Sequence, residues 1–301
     1  MQAKPSELIA RREFLTTAGA TLAAATTSSL LSGLAQAESV SDRPSGNPSE
    51  PTPVMKIQRL AWAGIKIECG DVVLFVDAHT DPEYGANNVE LSTSASDHAG
   101  SRSALITHHH GDHCDPVALK SALGPKGRLV CHREVQPWFD PQGIQVQAVG
   151  LHEPVFFSRA SGLLVARAVP AADGLGHPQF SWVIDGGGKR IIHCGDTMWH
   201  GHWYDIARAY GPFDAAFLPV NGFRQVEGRY TDSGVPMSLT PEQAVSASKI
   251  LGARLVIPIH YGNTGDENYV EVAEPEASFL RVASARGVAT KVLKGGEYLE
   301  L

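Results

Sequence analysis

No Cys-x-x-Cys pair occurs in the chain, and its four cysteines (Cys69, Cys114, Cys131, Cys194) stand far apart. That excludes a thiolate zinc ribbon and a thioredoxin-like redox pair. Basic charge is also short: 25 Lys and Arg face 32 Asp and Glu, for a net charge of −7. A duplex nucleic-acid binder would show a basic excess, so no nucleic-acid partner is expected. Beyond residue 34 no apolar run approaches the ~18 residues of a membrane span, so no stable membrane insertion is expected. The remaining composition, 43% apolar and 19% charged, is that of a packed globular chain.

The first 37 residues read as a targeting segment. Ala10-Arg11-Arg12-Glu13-Phe14-Leu15 looks like a twin-arginine export signal, and a Thr- and Ala-rich apolar stretch follows to Leu34. Ala35-Gln36-Ala37 supplies a small-x-small cleavage site. A short membrane anchor is the alternative, but Thr, Ser and Gly interrupt the stretch. The expectation is export by the twin-arginine machinery to a periplasmic or secreted location. Residues 38–53 are rich in Ser, Pro and Glu and read as a flexible linker. Removing residues 1–37 takes away Lys4, Arg11, Arg12, Glu7 and Glu13, which moves the net charge from −7 to −8. In an oxidising compartment four cysteines permit disulfides, and the sequence leaves their state open.

Residues 54–301 carry the folded pattern. Residues 60–77 predict a hairpin: Ile65, Ile67 and Cys69 alternate with polar residues, Gly70-Asp71 turns, and residues 72–76 continue as a buried strand. Residues 78–100 read as loop. Further strands are predicted at 103–107, 128–131, 144–149, 163–169, 180–185, 189–194, 215–219, 254–259 and 289–293. Helices are predicted at 116–123, 202–210, 241–251 and 275–286. Thr240-Pro241-Glu242-Gln243 is a capping box with Pro at the first helical position. Strands dominate each half and helices punctuate them, so the expected class is α+β, two packed sheets with helices outside.

The chemistry concentrates in Thr107-His108-His109-His110-Gly111-Asp112-His113, directly after a predicted strand. Strand alternation turns His108 and His110 to one side, and Gly111 lets Asp112 and His113 fold back toward them. Imidazole and carboxylate together suit Zn, Fe or Mn. Two further strand ends carry ligand-type residues: Asp196 in Cys194-Gly195-Asp196-Thr197, and His260 in Pro258-Ile259-His260-Tyr261. His109 reads as structural and His193 as a core histidine. His200, in Met198-Trp199-His200-Gly201-His202-Trp203, is a candidate substrate-binding residue. Asn221 and Arg224 follow residue 219 and could meet a polar substrate.

This order and spacing resembles the metallo-β-lactamase superfamily. Its HxHxDH motif matches His108, His110, Asp112 and His113; its bridging aspartate matches Asp196, and its last histidine matches His260. The resemblance covers residues 54–301 and implies a four-layer αββα sandwich with the site at one edge. Within the superfamily the chain looks most like the branch that includes L-ascorbate 6-phosphate lactonase and N-acyl-phosphatidylethanolamine phospholipase D. That branch implies a further ligand in a Pro-Ala-x-His element. Here Val169-Pro170-Ala171-Ala172-Asp173 places Asp173 at the His position, with His177 the nearest histidine. Either Asp173 or His177 would complete the first position, or that position holds no metal. A carboxylate there would shift preference toward the harder Mn or Fe.

The resemblance implies two divalent metal ions, Zn first and Mn or Fe as alternatives. They would share a hydroxide that cleaves an ester, lactone or phosphodiester bond of a small-molecule substrate. Asp112 would ligate the second metal and act as the catalytic carboxylate, orienting or deprotonating the nucleophile. Asp77 would support the site from behind. The rivals are a nuclease, a mono-iron oxidoreductase of the sulfur dioxygenase type, and a metal-binding protein with a degraded site. A flavodiiron-type centre would need Glu at position 110.

Overall fold

The computed structural model describes residues 52–79, 102–124, 127–139, 144, 146–226, 231–263 and 267–301. All of them fall in one compact unit. The export signal, most of the linker and most of the loop expected at 78–100 lie outside the described residues. No helix among the described residues is long and apolar enough to cross a membrane.

Two sheets face each other. The first has seven strands in the order β15-β1-β2-β3-β4-β5-β6. These are β1 (Met55–Arg59), β2 (Ile65–Cys69), β3 (Val72–Val76), β4 (Arg102–Leu105), β5 (Arg128–His132), β6 (Val146–Val149) and β15 (Tyr298–Glu300). The second has six in the order β13-β11-β10-β9-β8-β7. They are β7 (Pro154–Ser158), β8 (Leu163–Pro170), β9 (Phe180–Gly186), β10 (Lys189–His193), β11 (Ala215–Pro219) and β13 (Val256–Ile259). A two-stranded ribbon pairs β12 (Arg224–Gln225) with β14 (Tyr269–Val270). Four helices complete the chain: α1 (Pro116–Leu123), α2 (Trp203–Tyr210), α3 (Pro241–Leu251) and α4 (Pro275–Ala285).

Period-two alternation in the second sheet explains the layering. Trp182, Ile184, Ile191, Phe217 and Ile257 join the first sheet in one core cluster. Their neighbours Val183, Ile192, Ala216 and Val256 join α2, α3 and α4 in the other. Both faces of the second sheet are therefore buried, and its strands read as continuous apolar runs. With α1 packed on β4 and β5, the layers run helix, sheet, sheet, helix: an αββα sandwich, as expected.

The hairpin of β2 and β3 pairs in the expected register, Ile65 with Val76 through Cys69 with Val72. The capping box at Thr240 and Gln243 is formed, and Gly252 closes α3 in the left-handed conformation. One expectation fails. Residues 289–293 make a single bridge, Thr290 to Val256, and the last strand is instead β15. There Leu299 pairs Ile57 on β1 and is the buried residue of the β15 pattern. All four cysteines are buried free thiols. Burial pushes the Cys194 thiol up to about 12, so it is unreactive at neutral pH.

Candidate metal centre

Five strands end at one edge of the sandwich. In the first sheet β3 and β4 run parallel. In the second, β10, β11 and β13 run parallel, and β8 runs with them because β9 is antiparallel to both β8 and β10. The residues just past these ends are Asp77 after β3, His108 to His113 after β4, Asp173 after β8, Asp196 after β10 and His260 after β13. Rigid strands thus aim the ligand-type atoms of five segments at one place. The segment after β4 leaves its sheet earlier than expected: β4 stops at Leu105, and the Thr107 carbonyl accepts from Phe180 N in the opposite sheet at 3.0 Å. That crossing carries the histidines between the layers.

The side chains fall into two groups sharing Asp196. His108 Nε2 lies 3.7 Å from Asp196 Oδ1, and His110 Nε2 lies 3.4 Å from Asp173 Oδ2. On the other side, Asp112 Oδ2 lies 3.4 Å from both His113 Nε2 and His260 Nε2. Asp196 Oδ2 is 4.0 Å from His113 Nε2 and 3.9 Å from His260 Nε2. His108, His110 and Asp196 form one ligand-competent group, and His113, Asp196 and His260 another. Tetrahedral zinc with bonds of about 2.0–2.1 Å has ligand-to-ligand edges of about 3.3–3.4 Å. The separations within each group match those edges or exceed them slightly.

Hydrogen bonds behind the site fix which ring nitrogens face inward. Asp77 is fully buried and accepts from His113 Nδ1 at 2.9 Å, from Thr107 Oγ1 at 2.7 Å and from Thr107 N at 2.9 Å. With its proton given to Asp77, Thr107 Oγ1 accepts from His108 Nδ1 at 3.1 Å. His108 therefore presents an unprotonated Nε2 to the centre, and His113, its Nδ1 fixed as a donor to Asp77, turns its Nε2 there as well. His108 Nε2, His113 Nε2, His260 Nε2 and Asp173 Oδ2 are buried without a hydrogen-bond partner. Such orphaned acceptors are costly unless a cation or donor meets them. The donor set and its unmet atoms fit divalent metal ions. Gly195 turns the chain into Asp196 at φ +57, and a Cβ there would come within 2.8 Å of Thr107 Oγ1, so glycine is required at this position.

Electrostatics point the same way. Burial, helped by Asp112 and Asp173 and opposed by His113, pushes Asp196 up to about 7. Burial holds His108 well below the usual imidazole range and His260 at about 4. Burial opposes charge on His113 as well, but Asp112 and Asp196 outweigh it and lift that ring well above its ordinary value. Asp112 is held well below the carboxylate range, with His113 and then His260 overcoming burial. Four aspartates thus crowd a site in which two of the facing rings resist protonation, and a cation relieves that imbalance.

Other sequence candidates are placed as follows. Asp173 is 2% exposed at its side chain, and Leu175 N holds its Oδ1 at 2.5 Å. His177 is 40% exposed, with Nδ1 2.7 Å from His110 Nε2 and 3.7 Å from Asp173 Oδ2. His109 packs on Trp138 and joins His110 and His177 in a third group of nearby ring nitrogens. His200 stacks on Trp203 at 4.1 Å and accepts from His202 N. No contact among the described residues links it to the two groups. His193 is a core histidine whose Nε2 donates to Ala63 O at 2.7 Å. Asn221 is buried and tied to Ser238, Tyr269 and Glu271, and Arg224 pairs with Asp232. Asn221 is thus held inside the fold, and Arg224 is half of an exposed ion pair.

Two side chains at the centre went unread in the sequence. Gln179 Nε2 donates to Asp196 Oδ1 at 2.7 Å, and Trp62 Nε1 donates to Asp112 Oδ2 at 2.9 Å. Neither lies in a motif or near a ligand in the chain. Position 62, within the residues 60–77 expected to form a hairpin, offered no signal.

The chain is similar to known proteins in sequence and in fold. A family profile described as "Beta-lactamase superfamily domain" matches residues 74–261. A UPF0173 metal-dependent hydrolase of Pelotomaculum thermopropionicum is 30% identical over 261 residues, covering 82% of this chain and all of that protein. Another, from Thermococcus kodakarensis, is 27% identical over 205 residues, 65% of this chain and 80% of the relative. The metallo hydrolase Igni18 of Ignicoccus hospitalis superposes with a TM-score of 0.60 at 23% identity, over 82% of this chain and 98% of its own. That last likeness speaks for the fold. Taken with the strand-end site, these matches show that the chain belongs to the metallo-β-lactamase superfamily, among the metal-dependent hydrolases designated UPF0173.

Proposed function

We propose that this metal-dependent hydrolase is a two-cation enzyme that cleaves an ester, lactone or phosphodiester bond of a small molecule outside the cytoplasm. The observation that carries the reading is Asp196. Its Oδ1 faces His108 and its Oδ2 faces His113 and His260, so one carboxylate spans both groups. His108, His110, Asp173 and Asp196 would hold the first ion, and Asp112, His113, His260 and Asp196 the second. Zinc suits the second set. The extra carboxylate of Asp173 opens the first to Mn or Fe. Its register after Pro170-Ala171 supports placement near the branch of the ascorbate-phosphate lactonases and the N-acyl-phosphatidylethanolamine phospholipase.

When bound, divalent cations lower the pKa of water toward neutrality and polarise a substrate oxygen. The chain's own residues do the rest. His110 and Asp112 have side chains 21% and 19% exposed, whereas the other proposed ligands are at 7% or less. Water and substrate therefore reach the centre on their side. Asp112 is ionised at neutral pH. Its Oδ2 is committed to Trp62, which leaves Oδ1 to orient the attacking water and take its proton. Asp77 keeps His113 in one tautomer throughout, through the Nδ1 bond.

The test is direct. Chelator-stripped protein titrated with Zn²⁺ should bind two equivalents by mass spectrometry. A panel of ester, lactone and phosphodiester substrates should yield one class hydrolysed only by the loaded form. A single equivalent at saturation, or turnover that survives complete stripping, would overturn the proposal. Export rests on Arg11 and Arg12. Changing both to Lys should retain the protein in the cytoplasm of a host with twin-arginine transport.

A further inference from the structure

Trp62 occupies the turn between β1 and β2 with φ +52. Only five described residues other than glycine have positive φ, and three of them, Trp62, Asp77 and His260, surround the centre. An indole in the left-handed region is unfavourable, and such strain persists only where neighbours over-determine it. The neighbours are identifiable. Gly64 N closes the turn onto Ala61 O at 2.7 Å, His193 Nε2 donates to Ala63 O, and His260 N donates to Trp62 O at 3.2 Å. A Cβ on Gly64 would come within 2.8 Å of Asp77 O, so the turn lies directly against the loop that supports His113.

The Trp62 side chain then makes two contacts with the same half of the site. Its ring lies 4.3 Å from that of His260, and its Nε1 donates to Asp112 Oδ2 at 2.9 Å. That Oδ2 is the oxygen 3.4 Å from both His113 Nε2 and His260 Nε2. A carboxylate oxygen has two lone pairs. The indole takes one of them, stops rotation of the carboxylate and leaves the second directed between the two rings. Trp62 is 4% exposed, so the donor side of this bond is shielded from competing water.

We infer that Trp62 is a positioning residue for the second cation, setting both the Asp112 carboxylate and the His260 ring before the ion arrives. The inference rests on the reading of Asp112 and His260 as ligands, and it assigns a metal-tuning role to a residue outside the ligand motif.

The test replaces Trp62 by phenylalanine and, separately, by benzothienylalanine, which keeps the shape of indole and lacks its N–H. Chelator-stripped full-length protein is titrated with Co²⁺ and followed by visible absorption and bound-metal analysis. Loss of a hydrogen bond behind a metal ligand typically weakens binding about 10–100-fold. Both variants should loosen the Co²⁺ equivalent that is lost in Asp112→Ala, by that factor, and shift its ligand-field bands. The isostere decides the matter if Trp62→Phe fails to fold. Wild-type affinity and bands in the benzothienylalanine protein would overturn the inference, provided Asp112→Ala loses one Co²⁺. Retention of both ions by Asp112→Ala would overturn the ligand reading itself, and the role of Trp62 with it.

Discussion

The two halves of the centre are held in different ways. Around His113 and His260 both rings are buried, His113 is locked through Nδ1 to Asp77, and Asp112 is pinned by Trp62. Around His110 the flank is open: His177 is 40% exposed and stands closer to His110 Nε2, at 2.7 Å, than Asp173 Oδ2 does at 3.4 Å. The buried half is assembled before any ion binds, so its affinity is not reduced by ordering. The open half must draw His110 from His177 toward Asp173. Preorganisation therefore predicts a tighter, more selective second position and a looser, more permissive first.

The largest effect expected abolishes that contrast. Asp196→Ala removes the carboxylate shared by both halves, and bound metal should fall below one equivalent at micromolar free ion. Cations at such a site contribute several kcal/mol of transition-state stabilisation, so hydrolysis should drop on the order of 10³-fold. Retention of two ions would mean the halves are independent. Next in size, Asp77→Ala should strike the buried half directly and reach His108 of the other half only through Thr107. It strips the partner from His113 Nδ1 and two bonds from Thr107, and breaking a buried pair costs about 3–5 kcal/mol. Urea unfolding at pH 7 should show that loss, with the second cation weakened more than the first in the protein that remains folded.

A smaller pair of effects separates the two candidates in the open half. Asp173→Ala deletes a buried, orphaned oxygen and should weaken the first cation about 10–100-fold. His177→Ala should change it less than about threefold, because an exposed ring gives up little preorganisation. Equal losses in the two variants would make His177 a ligand in its own right, and the reverse order would exchange their roles.

That difference also governs what could be read from the sequence. Strand periodicity and the capping box at Thr240 are local signals, and they located most elements within two residues. β1 and β15 depend on pairing between Ile57 and Leu299, 242 positions apart, which no local pattern announces. The same holds at the centre. His108, His110, Asp112 and His113 were legible because four ligand types share one short segment after a strand. Asp196 and His260 were legible through their order. Trp62 and Gln179 were not, since each acts by a single hydrogen bond across the sandwich. Asp173 stood between these cases: its register was readable, but the contrast between its burial and the exposure of His177 appears only in the fold.

The smallest effect expected is a pH dependence that reports whether Asp196 waits uncharged for its ion. In the metal-free fold its pKa is raised to about 7, against about 3.9 in an unfolded chain. The stability it contributes is thus fully present below about pH 3.9 and is lost as pH rises through about 7. His260 runs the other way. Its folded value of about 4 lies below the unfolded value of about 6.5, so its contribution is lost as pH falls from 6.5 toward 4. His113, lifted well above its ordinary value, also loses its contribution as pH rises past 6.5. Between pH 6.5 and 8 Asp196 and His113 therefore act in the same direction, and the metal-free protein should lose melting temperature there. Bound cations favour the ionised carboxylate and bind more tightly as its proton leaves. The gap in melting temperature between loaded and stripped protein should widen by several degrees across that interval, at about 2–4 °C per kcal/mol for a domain of this size. A constant gap would mean that Asp196 is already ionised in the empty centre, with His113 as its counter-charge, and the buried half would then be preformed in charge as well as in shape.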